Sequence, residues 1–192
     1  MKYYRISCTG DLGDSSLCLV EDPPEGMGLE HFYMAGGDRA APFFPKDAKV
    51  YLREENPGIK LAGILGNTVG YLIGNAQAKA IIEKHSKGQE IEFLPFTLYN
   101  QKRRMHSKDY FFINPIGTFD CLDEKASGAK YDEDGEIVTT EKFVLDAKKV
   151  QKAPNIFRMG KVPTEYVMSF TLAQALKAGG VTNVFGYELD VR

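Results

Sequence analysis

The chain is predicted to be an α+β protein with a mainly antiparallel sheet. Three observations carry that reading. Apolar residues follow helical spacing in two segments, about 67–86 and 164–178. Several other segments are short, rich in β-branched and aromatic residues, and bounded by glycine or proline. The two kinds come in mixed order, with few strict strand–helix–strand units of the sort that build a parallel sheet. At 192 residues the chain fits one domain, 1–192, with a loop-rich N-terminal part, 1–60.

Lys2 to Thr9 reads as the first strand. Glycines 10, 13, 26 and 28 and the pair Pro23-Pro24 mark turns, with short strands expected at His31 to Met34 and Lys49 to Arg53. In the first helix Val69, Leu72, Ile73, Ala76, Ala80 and Ile81 share a face, with Asn67 as N-cap and Gly88 as stop. Glu90 to Tyr99 is a strand whose Pro95 predicts an edge position or a bulge. A basic connector follows, with Lys102, Arg103, Arg104, His106 and Lys108.

The next strand is the centre of the chain. In YFFINPIGTF, Phe111, Ile113 and Phe119 alternate with Phe112 and Ile116. A strand apolar on both faces is covered twice, and Pro115 and Gly117 predict a bend at its far end. A hairpin turn is expected at Asp134-Gly135, since the glycine comes too soon for a calcium-binding loop. One or two strands are expected in Glu136 to Asp146, and another at Asn155 to Met159. The second helix has Val167, Met168, Leu172, Ala175 and Leu176 on one face and ends at Gly179-Gly180. Thr182 to Val191 closes the chain as a strand.

Composition excludes several function classes. A net charge of −2 and pI near 6.0 argue against a general nucleic-acid binder. Three widely spaced cysteines, Cys8, Cys18 and Cys121, form no CxxC pair and read as reduced thiols of a cytoplasmic protein. The N-terminus lacks the apolar stretch of a signal peptide, and Leu61 to Ala76 is too short and polar to span a membrane. His31, His85 and His106 lie apart, without metal-ligand spacing, so no metal or cofactor is expected. Cys121 lies between Asp120 and Asp123, which raise rather than lower a thiol pKa. It reads as a buried structural thiol, and no catalytic residue is assigned.

What remains is charge. Residues 120–136 hold seven acidic side chains against Lys125 and Lys130. An acidic surface of this kind suits a basic protein partner. Asp123, Glu124, Asp132, Glu133, Asp134 and Glu136 are therefore the candidate contact residues.

Asn114-Pro-x-Gly-x-x-Asp120-Cys-Leu-Asp123-x-x-x-Ser127 resembles the central signature of a family of bacterial immunity proteins, first noticed in a myxobacterium, that accompany polymorphic toxins. Ile91 to Pro95, Phe143-Val-Leu, Ile156-Phe-Arg158, Tyr166-Val-Met and Thr182 to Phe185 resemble further motifs of that family in the right order, so that the likeness covers about 66–189. The resemblance implies a non-enzymatic α+β domain that binds and neutralises a cognate protein toxin encoded by a neighbouring gene. It also implies that Asn114, Asp120, Asp123, Ser127 and Arg158 are structural motif positions. Arg158, between Phe157 and Met159, is expected to be partly buried and paired with Asp120 or Asp123. The alternative is a small-molecule-binding domain or enzyme with a pocket near the central strand 110–123. A third reading, an RNA-binding module, would depend on Arg103 and Arg104.

Overall fold

A computed structural model describes residues 2–53, 55 and 58–192. The strands are β1 (Tyr3–Ile6), β2 (Leu19–Val20), β3 (Lys49–Tyr51), β4 (Gly66–Asn67), β5 (Ile73–Asn75), β6 (Ile91–Tyr99), β7 (Met105–Pro115), β8 (Lys130–Tyr131), β9 (Ile137–Thr139), β10 (Val144–Leu145), β11 (Ile156–Met159), β12 (Val162–Ser169), β13 (Gly186–Glu188) and β14 (Asp190–Val191). The helices are α1 (Phe32–Gly36), α2 (Ala76–His85) and α3 (Phe170–Ala178). The arrangement is α+β, as the sequence predicts.

Two four-stranded sheets dominate. One has the order β11-β12-β1-β13 and is antiparallel throughout; Tyr4 of β1 lies opposite both Met168 and Glu188. The other has the order β3-β6-β7-β5, with β3 parallel to β6 and the remaining pairs antiparallel. Pro95 sits opposite Phe111, outside the span of β6 that β3 covers, Thr97–Tyr99. That side of the strand is an edge at the proline, and the pairing with β7 is irregular just beyond it.

β7 is covered on both faces, as its two-faced apolar pattern requires. Tyr110 and Phe112 join Val50, Leu65, Phe96 and Leu98 in one core. Ile113 joins Ile82, Leu172, Leu176 and Met168 in a second, beneath α2 and α3. A third core gathers Tyr3, Cys121, Leu145, Phe157 and Val167 on the other side of the first sheet.

Both predicted helices start later than the periodicity suggests. The first begins at Ala76, because Tyr71 and Ile73 face one core while Leu72 faces the other. That alternation belongs to a strand, and three residues are too few to separate the two periods. Asn75, extended at ψ 174°, is the true cap and accepts from the Ala78 amide at 2.9 Å. Asn67 is instead fully buried and clamps a turn, accepting from the Tyr71 amide at 2.9 Å. Residues 164–169 likewise belong to β12, and Ser169 caps α3 through the Leu172 amide at 3.2 Å.

His31 to Met34 is not a strand. It spans the end of a 3-10 turn (Gly28–His31) and the start of α1, which is closed by Gly37 in the left-handed region at φ 84°. The terminal strand is two strands, β13 in the first sheet and β14 parallel to β10. The hairpin at Asp134-Gly135 is present, joining β8 to β9, with Gly135 at φ 83°.

Candidate functional site

Arg158 is the largest of the fully buried side chains. Its place on β11, between Phe157 facing one core and Met159 in the same core, directs the guanidinium toward α1 and the end of β7. It donates to the carbonyls of Pro115 (3.3 Å), Ala35 (3.0 Å) and Pro163 (2.8 Å), and to that of Met34. It also donates to Asn114 Oδ1 at 3.0 Å and Tyr166 Oη at 2.5 Å, with its carbon 4.1 Å from the Tyr166 ring centroid.

The expected carboxylate partner is not there. Asp120 points outward to Lys149 at 2.9 Å, and Asp123 accepts from the Ala126 amide at 2.9 Å. The carboxylate stands one residue removed instead. Asn114 Nδ2 donates to Glu92 Oε2 at 3.0 Å, and Glu92 also receives the amides of Ala40 (2.9 Å) and Ala41 (3.2 Å). Carbonyl dipoles and a relayed carboxylate thus replace a direct ion pair, which spares two adjacent full charges their desolvation. Asn114 and Arg158 are brought together. Asp123 and Ser127 form a separate pair: the Ser127 amide donates to the Asp123 carbonyl at 2.9 Å, and Ser127 Oγ accepts from the Val144 amide at 3.0 Å. Glu92 and Tyr166 fall within motifs of the resemblance, Ile91 to Pro95 and Tyr166-Val-Met, but nothing in the sequence links either to Arg158.

The six acidic candidates divide by geometry. Asp123 shapes its own turn. Glu124 pairs with Lys161 at 2.9 Å and accepts from the Tyr131 hydroxyl, and these two contacts, Tyr131 first, hold its carboxyl below the usual range. Asp132 accepts from the amides of Asp134 (3.1 Å) and Glu136 (2.9 Å) and builds the β8–β9 turn. The side chains of Glu133, Asp134 and Glu136 are exposed and have no hydrogen-bond or ion-pair partner among the described residues. Of the six, the unpaired carboxylates therefore lie together at the tip of one hairpin.

Cys18 and Cys121 are buried, and burial pushes their thiols up to about 11 and about 12. Such thiols are poor nucleophiles at neutral pH. No His, Cys, Asp or Glu cluster suited to a metal occurs among the described residues. Surface clefts of about 300, 280 and 330 Å³ have no residue of the strand 110–123 in their lining, and the third meets it through Asp38, whose carbonyl accepts from Asn114 Nδ2 at 2.8 Å. The polar groups at the end of that strand are engaged by Arg158. None of the described helices is long and apolar enough to cross a membrane.

These features define an α+β protein whose buried polar groups bind its own backbone and whose uncommitted charge lies outside. The chain matches the Immunity protein family (Imm11) over residues 2–189, and it belongs to that family. The match takes in the first 60 residues, which the short motifs do not reach. Among individually curated proteins, none matches the chain.

Proposed function

We propose that the protein neutralises a cognate toxin of a polymorphic toxin system by binding it in a stoichiometric complex, without catalysis. Membership of the immunity family carries this reading. The toxin is encoded by a neighbouring gene, and the complex forms in the cytoplasm. The chain acts as one folded unit, since Arg158 ties α1, β7 and β12 together.

The contact surface includes the acidic hairpin, with Glu133, Asp134 and Glu136 at its tip, Asp132 and Glu124 setting its shape and Asp123 in the turn that precedes it. Uncommitted carboxylates speed encounter with a basic partner and orient it. The hairpin backbone is fixed by the Asp132 bonds, so little ordering is needed on binding.

The test pairs purified protein with the toxin from the adjoining gene, and expresses that toxin in a naive host with and without this chain. A tight one-to-one complex together with growth rescue supports the reading. No complex and no rescue with any adjoining gene product overturns it.

A further inference from the structure

The segment from Leu29 to Phe43 leaves large apolar side chains in water: Leu29 is 78% exposed, Phe32 60%, Phe43 48% and Tyr33 41%. α1 carries two of these and buries only Met34. The rings are ordered against one another. Tyr33 stacks on Phe43 with centroids 4.9 Å apart, and the His31 ring lies 4.1 Å from that of Phe32.

Leu29, Phe32 and Tyr33 line a surface cleft of about 330 Å³ with Glu30 and Asp38. Neither carboxylate has a hydrogen-bond or ion-pair partner among the described residues. No cation lines the cleft, and Arg39 is turned away to Glu90. The platform is rigid, because Arg158 holds the Met34 and Ala35 carbonyls and Gly37 closes the helix. Exposed aromatic faces on a fixed backbone, beside two uncommitted carboxylates, suit a guanidinium: the rings take its face and the carboxylates its N–H groups.

We propose that this cleft anchors the toxin by receiving an arginine side chain from it. The proposal rests on the immunity reading and adds a second contact to the acidic hairpin. Arg158 Nη1 bonds both Ala35 of α1 and Pro163. Two residues before Pro163, Lys161 pairs with Glu124 beside Tyr131 at the base of the hairpin. The cleft and the hairpin carry the same sign of charge, so a basic partner suits both. A second copy of this chain fits less well, since a two-fold contact would bring Glu30 and Asp38 against their own images.

The test measures affinity for the toxin encoded beside the gene, using the full chain, Phe32→Ala, and the pair Glu30→Lys with Asp38→Lys. All three positions are exposed, so the melting temperatures should match that of the unaltered protein. We expect each variant to bind about ten-fold more weakly or worse, and the charge-reversed pair to lose part of the salt dependence. Light scattering should give a monomer in the absence of toxin. Variants that bind as well as the unaltered chain overturn this proposal and leave the immunity reading standing. So does a dimer that Phe32→Ala dissociates, which makes a second copy the occupant. An unaltered chain that binds no such toxin overturns both.

Discussion

Arg158 and Asn114 meet at 3.0 Å, and the amide of Asn114 passes the contact on to Glu92. Three motif-bearing strands, β11, β7 and β6, are joined by this one relay. A charge this deep is tolerated because every acceptor around it is a carbonyl, an amide oxygen or a hydroxyl held in place by the fold.

Arg158→Ala should cost about 3–5 kcal/mol, since it leaves buried carbonyls unpaired and opens a cavity. Arg158→Lys should recover only part of the loss, because one ammonium cannot span acceptors arranged for a planar fork. Urea unfolding followed by circular dichroism measures both. A midpoint unchanged in Arg158→Ala would refute the structural role.

Gly37→Ala should destabilise by about 2 kcal/mol or more. Its φ of 84° disfavours a side chain, and an added Cβ would lie 2.7 Å from Arg158 Cδ and 2.9 Å from the Gly117 carbonyl oxygen. Gly135→Ala shares the positive φ of 83° but meets nothing within 4 Å, so it should cost clearly less. Equal melting temperatures for the two variants would contradict the account.

The helix caps are separable. Asn75→Ala and Ser169→Ala should each cost about 1 kcal/mol, through loss of the bonds to the Ala78 and Leu172 amides. Asn67→Ala, at the position that sequence spacing marks as a cap, should cost more, because it removes a fully buried clamp on the Tyr71 backbone. Denaturant midpoints for the three rank them directly.

Stability should fall at alkaline pH. Burial raises the Cys121 thiol from 9.0 to about 12, the Cys18 thiol to about 11, and the Tyr71 and Tyr110 hydroxyls from 10.0 to about 12. The unfolded chain ionises first, so these contributions are complete below pH 9. They decline as pH rises toward 12, by about 1.4 kcal/mol per unit for each group. Urea midpoints from pH 7 to 11 test this, and Cys121→Ala should lessen the slope above pH 9. A flat profile would refute it.

Charge reversal at Glu133 and Asp134 should lower the association rate with the toxin about ten-fold at low salt and by less at high salt. The same change at Glu124 should also loosen the fold locally, because Glu124 is held by Lys161 and Tyr131. Stopped-flow association at two ionic strengths separates the two. Unchanged rates would remove the hairpin from the interface.

Long-period patterns were readable in the chain and short ones were not. The double-faced apolar run of β7, the hairpin glycine Gly135 and the α+β class follow from residue type and spacing. The first turns assigned to both helices fail for a common reason: strands feed directly into α2 and α3 at Asn75 and Ser169, with no loop to mark the change of period. α1 was missed because its aromatic residues have strand propensity and face water, which leaves no core-facing stripe to count. Arg158 was legible as a special position, but its partners were not. Carbonyls at Met34, Ala35, Pro115 and Pro163 have no signature in sequence, whereas acidic residues nearby invite a pairing that the fold does not make. At the surface, acidity was legible as a total; which carboxylates are already occupied depends on Lys149 and Lys161, brought in from elsewhere.

The first sheet has β1 in its interior, flanked on one side by β12 and on the other by β13. A nascent chain therefore releases Tyr3–Ile6 early and must keep it unpaired until residues 167–169 and then 186–188 have been made. At ribosomal speed that wait is on the order of ten seconds or more, before any slow closure of so distant a pairing. In the proposed immunity role, protection then depends on a standing pool of finished molecules, and a cell that stops making them is covered only for as long as the pool lasts.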